Sequence, residues 1–252
     1  MMVRLEDIHF SYEESATETI KDVNLTIEEG KNYAFIGRNG SGKTTLLKLI
    51  SGLLEPDSGR IIFQEKEPEV GFSPEDPELG FFEKTVKEEV GFYPKNLGLD
   101  HKKIARETLK KVGITHLKKR SPYLLSSGEQ RLVSIASVLS GLPEILVLDE
   151  PTHSLHRKGE KMVRNVLKEL EKTILFSTHS SDFALEVADE VIVLQKGEIL
   201  DVGKAREVLS DVEKLEEAGI RAPGLVRWAR DNSREVPSSL DEAVGLVKEG
   251  KE

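Results

Sequence analysis

Gly37-Arg38-Asn39-Gly40-Ser41-Gly42-Lys43-Thr44 puts three glycines, a lysine and two hydroxyls into eight residues. The spacing, G-x-x-x-x-G-K-[ST], is that of a phosphate-binding loop. Glycines reach backbone angles closed to other residues, so successive N–H groups can point inward at an anion. A helix N-terminus adds its own unpaired N–H groups to that cradle. In such a loop Lys43 reaches the β- and γ-phosphates of a nucleotide and the Thr44 hydroxyl binds Mg²⁺. Gly37, Asn39, Gly40, Ser41, Gly42 and Thr45 complete the expected ATP-binding set. Further on, Ile145-Leu146-Val147-Leu148-Asp149-Glu150 is an apolar run ending in two carboxylates. Alone, those acids read equally well as a helix N-cap before Pro151 and Thr152. Beside a phosphate loop, Asp149 is the expected Mg²⁺ ligand, and Glu150 is placed to polarise a water at the γ-phosphate.

These groups need a scaffold that brings residue 43 to residue 149. Tyr33-Ala34-Phe35-Ile36 is a short apolar run before the loop, and Leu46, Leu49, Ile50 and Leu53 follow at helical spacing, giving strand–loop–helix. Val3 to Ile8 and Val23 to Ile27 alternate like half-buried strands. Residues 52–71 read as interrupted strand, best at Ile61-Ile62-Phe63. Pro74, Pro77 and Pro94 with several glycines predict no long regular element over 73–100. His101 to Val112 and Lys158 to Leu170 have the period of amphipathic helices. Runs at 145–148, 173–176, 191–194 and 199–202 predict strands, the last two around the turn Lys196-Gly197-Glu198, and Phe183 to Ala188 a short helix. Strands alternating with helices mean an α/β fold with a mainly parallel sheet. Beyond about residue 204 the pattern predicts short helices only, and Ser239-Leu240-Asp241-Glu242 reads as a capping box before a final helix.

The chain has 252 residues, 38% of them hydrophobic, which excludes a wholly disordered protein. Its formal charge of −9 argues against non-specific nucleic-acid binding and against adhesion to anionic lipid. Without cysteine there is no disulfide, thiolate metal site or Cys nucleophile. The N-terminal residues lack the apolar stretch of a signal peptide, and no run approaches the ~18 apolar residues of a membrane span. The His153 and His156 spacing reads as loop rather than metal site. Lys110-Lys111 and Lys118-Lys119-Arg120 read as solvated surface.

Leu125-Ser126-Ser127-Gly128-Glu129-Gln130 resembles the ABC signature Leu-Ser-Gly-Gly-Gln, and Gly128 stands 21 residues before Asp149. Asp149-Glu150-Pro151-Thr152 is similar to that family's acidic motif, Ser177-Thr178-His179 to its switch histidine, and Tyr12 to the aromatic that stacks on adenine. Residues 70–92 and the tail from Val212 to Val244 further resemble the energy-coupling-factor transporter ATPases. The resemblance implies a P-loop NTPase fold with a RecA-like parallel core, an antiparallel β subdomain and an inserted α-helical signature subdomain at about 74–142. It places the ATPase domain at 1–205 and a C-terminal helical extension at 206–252, with Trp228 as an anchor if that extension joins two subunits. Lys43, Glu150 and His179 become catalytic candidates. Ser126, Ser127, Gly128 and Glu129 become contacts to ATP held by a second subunit. Implied cofactors are ATP and Mg²⁺. Implied partners are a second ABC ATPase subunit, a transmembrane coupling subunit and a substrate-capturing membrane subunit, with no nucleic acid. The implied location is the cytoplasmic side of the membrane, peripherally bound.

Several positions depart from the family pattern. Glu75 stands where a Gln touching Mg²⁺ or the attacking water is usual, and a carboxylate there is still a metal-ligand candidate. His156 replaces an Asp that crosses the dimer interface. Ser127, Glu129 and Leu132 differ from the common Gly, Gln and Arg. The set acting on this chain's own ATP is otherwise intact, whereas the set facing a partner's ATP has drifted. That contrast implies an asymmetric heterodimer, with a homodimer as the alternative. A different ABC transporter class, or a weakly catalytic gating subunit, is the alternative function.

Overall fold

The computed structural model describes residues 2–13, 17–64, 66 and 68–232. Along the chain come strands β1 (Val3–Phe10), β2 (Ile20–Ile27) and β3 (Asn32–Ile36), then helix α1 (Lys43–Ile50) and strands β4 (Ser58–Phe63) and β5 (Val70–Ser73). Helices α2 (Val86–Asn96), α3 (His101–Lys111) and α4 (Ser127–Ser140) follow. Next are β6 (Ile145–Leu148), α5 (Arg157–Glu169), β7 (Thr173–Thr178), α6 (Ser181–Val187), β8 (Glu190–Gln195) and β9 (Glu198–Lys204). Helices α7 (Ala205–Ser210), α8 (Val212–Glu217) and α9 (Gly224–Asp231) close the described part.

Two sheets result. Strands β2-β1-β4 pair antiparallel, and the larger sheet has the order β5-β6-β7-β3-β8-β9, parallel except for β9. Strands β6 and β7 are buried throughout, as a parallel sheet covered on both faces requires. Strand β3 divides the two cores. Ala34 and Ile36 face the cluster built by α2 to α6, while Tyr33 and Phe35 face α1 and the antiparallel sheet. Because β3, β6 and β7 run in one direction, the segments after residues 36, 148 and 178 all leave the same edge. That shared edge is where an open α/β sheet holds its ligands.

Between β5 and β6 lies the helical insertion. The expectation of no long element over 73–100 is corrected here, because α2 runs for 11 residues through Pro94. Thr85 starts it with a side-chain cap to Glu88, and the carbonyls of Arg120 and Lys118 accept from the first N–H groups, at Val86 and Lys87. Pro94 has no N–H to give to the carbonyl four residues earlier, and α2 ends two residues after it. Helices α7 to α9 pack onto the main core through Leu209, Leu215, Ile220 and Val226, and Trp228 is half-buried. The capping box at Ser239 lies outside the described residues.

One carboxylate inside the insertion is fully buried. Glu89 Oε2 accepts from the backbone N–H groups of Phe82 and Glu83, each at 2.8 Å, and pins the loop before α2. Burial pushes the pKa of Glu89 up, and those N–H groups with the Ser137 hydroxyl oppose the rise. The folded chain thus holds this proton more tightly than the unfolded chain, whose value is near 4.5. Ionising Glu89 therefore costs stability that is intact below pH 4.5 and is lost as pH climbs toward the folded value. Glu89→Gln keeps an acceptor for the loop and carries no charge. Its melting temperature is expected to gain on the wild type between about pH 5 and pH 8. A gap that stays flat or shrinks over that range would contradict the assignment.

Candidate nucleotide site

The loop after β3 enters α1 through Gly42, whose φ of +104° is reached cheaply only without a side chain. A Cβ on Gly37 would stand 2.4 Å from both the Leu194 carbonyl and the Ser41 hydroxyl, so this close passage also needs glycine. The first turn of α1 carries no acidic residue, which leaves the positive end of the helix free for an anion. The loop residues Asn39 to Thr45 line a cavity of about 640 Å³ with Tyr12, Thr19, Glu75, Glu150, His153 and His179.

Lys43 is 7% exposed. Its ammonium donates to the carbonyls of Gly37 at 2.9 Å and Arg38 at 3.3 Å, and Glu150 Oε1 lies 3.9 Å away. Burial pushes its pKa down, and the carboxylates of Glu150, Asp149 and Glu75 oppose the fall. Glu150 is also buried and takes a positive φ of 44°, a conformation non-glycine residues rarely adopt and one often found at functional sites. Its other oxygen is 2.9 Å from His179 Nδ1. His179 thus braces the carboxylate while its ring stays half-exposed at the cavity.

Asp149 Oδ1 accepts from the Thr44 hydroxyl at 3.0 Å and from the Ser177 hydroxyl at 2.6 Å. The Ser177 oxygen in turn accepts from the Glu150 backbone N–H at 2.7 Å. One fully buried hydroxyl on β7 therefore sets both consecutive acids that follow β6. Among the described residues no three His, Asp or Glu side chains form a metal-binding cluster. The oxygen donors present fit Mg²⁺, which prefers one or two carboxylates, waters and substrate phosphates to an all-protein cage. Thr44, Asp149 and Glu75 are the groups that would hold it.

Ser126 caps α4 in a capping box, donating from its N–H and hydroxyl to Glu129 Oε2 at 2.9 Å each. The Ser126 N–H, more than its hydroxyl and Arg120, holds the Glu129 carboxyl below the usual range. Ser126, Gly128 and Glu129 stay outside the cavity of Lys43, and Ser127 lines the adjoining groove with Glu75 and Asp149. Tyr12 lies edge-on to Phe10 with its hydroxyl 3.2 Å from Thr45 Oγ1, and its ring is 40% exposed at the cavity. His156 is exposed at the N-terminus of α5 and makes no side-chain cap.

Sequence reasoning missed three contributors to this site. Thr19 lines the cavity although it precedes the loop by some twenty residues. Ser177 was visible only as the residue two before His179. His153 was assigned to a loop, and it does sit in one. That loop, however, places its ring 6.2 Å from the His179 ring and its Nε2 3.6 Å from Glu75 Oε1. Its position four residues after Asp149 was the available signal.

A profile of the ABC transporter family matches residues 20–153. An energy-coupling factor transporter ATP-binding protein, EcfA2 of Caldanaerobacter subterraneus subsp. tengcongensis, is 36% identical over 100% of this chain and 96% of its own length. The chain belongs to the ABC transporter ATP-binding proteins of the energy-coupling factor type. EcfA2 of Clostridium tetani is 34% identical over 100% of this ABC ATPase and 95% of its own length. Among solved structures, cbiO1 from Clostridium perfringens superposes with a TM-score of 0.76 at 31% identity, covering 91% of this chain and 98% of that one. That protein is described as part of the ABC transporter complex cbiONQ. The P-loop NTPase fold, the family and the ATPase activity expected from the motifs all stand.

Ser177→Ala removes the common support of Asp149 and Glu150 while leaving the phosphate loop untouched. Outer-layer supports of this kind typically cost ~10–100-fold when lost, and turnover of ATP should fall in that range. ATP affinity, read by nucleotide titration, should change far less. An unaltered turnover number would show that the two acids hold their places without the serine.

Proposed function

We propose that this ATPase binds ATP with Mg²⁺ in the Lys43 cavity and hydrolyses it as one half of a dimer. The observation that carries this reading is the buried Glu150, held between His179 and Lys43 at the end of the phosphate loop. With ATP bound, Lys43 and the loop N–H groups hold the phosphates, and Tyr12 stacks on adenine. Glu150 orients a water toward the γ-phosphorus and accepts its proton, and His179 keeps the carboxylate aimed. Mg²⁺, once bound by Thr44 and Asp149 with Glu75 nearby, supplies charge neutralisation at the phosphates.

Ser126, Ser127 and Gly128 then complete the site of a second ATPase subunit across the dimer. That Ser126 and Gly128 line neither the Lys43 cavity nor the groove beside it, where Ser127 sits, supports that division of labour. The drift at Ser127, Glu129 and His156 supports a heterodimer. Closure on binding and opening after hydrolysis drive uptake of a vitamin or a transition-metal ion. No helix among the described residues is long and apolar enough to cross a membrane, and in this reading the path for solute belongs to the membrane partners. In the helical insertion Leu79 and Leu124 are about three-quarters exposed, and Phe82 stacks on Phe92 at 5.2 Å while remaining largely exposed. This apolar surface supports docking of a transmembrane coupling subunit, with a substrate-capturing subunit beside it. The ATPase sits peripherally on the cytoplasmic side.

Glu150→Gln keeps the shape and removes the base. Hydrolysis is expected to drop by ~100-fold or more, ATP affinity to persist, and ATP to hold the dimer closed on size-exclusion chromatography. Normal turnover in this variant would take Glu150 out of the chemistry. ATPase activity of the purified chain alone, equal to that of its mixture with a related subunit, would point to a homodimer.

A further inference from the structure

Arg131 is a charged group that the chemistry above leaves unused. It lies on α4, is 2% exposed, and has the largest side chain among the fully buried residues described. Its guanidinium donates through Nη1 to the Pro74 carbonyl at 2.6 Å and through Nη2 to the Glu75 carbonyl. Its Nε has no partner. The neighbouring carboxylates Asp149, Glu75, Asp76 and Glu150 oppose the effect of burial, which pushes its pKa down to about 10, so it stays charged at neutral pH. Two further residues of the same helix grip the same segment. Ser134 Oγ is 2.8 Å from Ser73 Oγ, and the Gln130 side-chain amide donates to Glu78 at 2.7 Å.

An arginine suits this place because its planar fork spans two successive carbonyls, which a lysine ammonium on a flexible stem does not match. Removing the fork would leave two carbonyls short of donors in a nearly dry environment. The contacts also have a direction. The segment they hold puts the Glu75 side chain into the cavity of this chain's own nucleotide. The helix they come from begins at Ser126, outside that cavity.

We propose that Arg131 is a positioning residue that ties Glu75 to the signature helix, so that the groups serving two different nucleotides move as one body. The proposal rests on the reading of Ser126 as a contact to a partner's ATP. It makes the state of one site felt at the other through the side chains of α4, Arg131 foremost, rather than through the sheet.

The test uses the full chain in its ATP-hydrolysing assembly. Arg131→Lys should lower turnover about tenfold while ATP affinity stays within about twofold, since the phosphate loop is untouched. Glu75→Ala should lower turnover as well. In the double variant the two losses should fail to multiply, leaving turnover within about twofold of the lower single variant. Multiplying losses, wild-type turnover in Arg131→Lys, or an Arg131→Lys defect beside a silent Glu75→Ala would each overturn the proposal. Amide exchange supplies a readout that needs no variant. In the unsubstituted protein, segments 74–79 and 127–131 should change protection together when ATP binds, and a change confined to one of them would overturn it too. If Ser126→Ala hydrolyses normally while the Arg131–Glu75 losses remain non-additive, it is the cross-dimer reading of Ser126 that fails.

Discussion

A buried ammonium beside two buried carboxylates is the arrangement on which this molecule turns. Lys43 is removed from water, yet its nearest carboxylate oxygen is 3.9 Å away, too far for a close pair. Two backbone carbonyls accept its hydrogen bonds instead. Burying an ion without a tight counterion is costly, and the lowered pKa of Lys43 records that cost. The cost is tolerable because the loop geometry that imposes it is also the geometry that receives an anion. A polyphosphate entering the cavity meets a cation already stripped of water, where charge interactions are strongest. Preorganisation of this kind lets binding and catalysis draw on one set of fixed dipoles.

That arrangement in turn dictates the sheet. Lys43, Asp149 and His179 are far apart along the chain, and only parallel strands deliver their following loops to one edge. The order β6-β7-β3 puts the three segments on adjacent strands. Ser177 exploits that adjacency, since a side chain on β7 reaches across to Asp149 and to the Glu150 backbone. The antiparallel sheet contributes differently. Its β1 ends at Phe10, which supports Tyr12 edge-on at the rim of the cavity. The helical insertion contributes through α4, which grips the segment after β5 that carries Glu75.

Most of this was legible because local chemistry and global fold agree. Glycines at turns, apolar runs ending in acids, and alternation at two periods each point to one structure. The failures have physical causes. Helix α2 was hidden because Pro94 and Gly91 disguise it, and the groups that stabilise its start come from residues 118–120, far along the chain. Ser177 and Arg131 were hidden because their importance lies in partners more than twenty residues away. A sequence shows that a serine or an arginine is present, but not which carbonyl or carboxylate it meets. His153 was hidden for the opposite reason: its loop was identified correctly, but only the fold turns that loop toward the cavity.

Of the five positions that depart from the family pattern, Leu132 is buried on α4, and the other four share a physical property. Ser127 and His156 are exposed, and the side chains of Glu75 and Glu129 are 51% and 26% exposed. Among the groups that keep the pattern, Lys43, Asp149 and Glu150 are each 7% exposed or less, while the His179 ring reaches the solvent side of the cavity. A change among the buried set would strand a charge or a hydroxyl in a nearly dry interior and cost several kcal/mol. A change among the exposed set meets water and costs the fold little. Glu129 closes the capping box of α4, as a glutamine at that position also can, so the helix start survives the change. Folding stability therefore gives no reason for those surface positions to hold one residue type. What constrains them is the surface they meet, and a partner of different sequence relaxes exactly that constraint. The unequal drift of the two motif sets thus separates an interior fixed by charge burial from a rim free to vary, which is the pattern that the heterodimer proposed above would use.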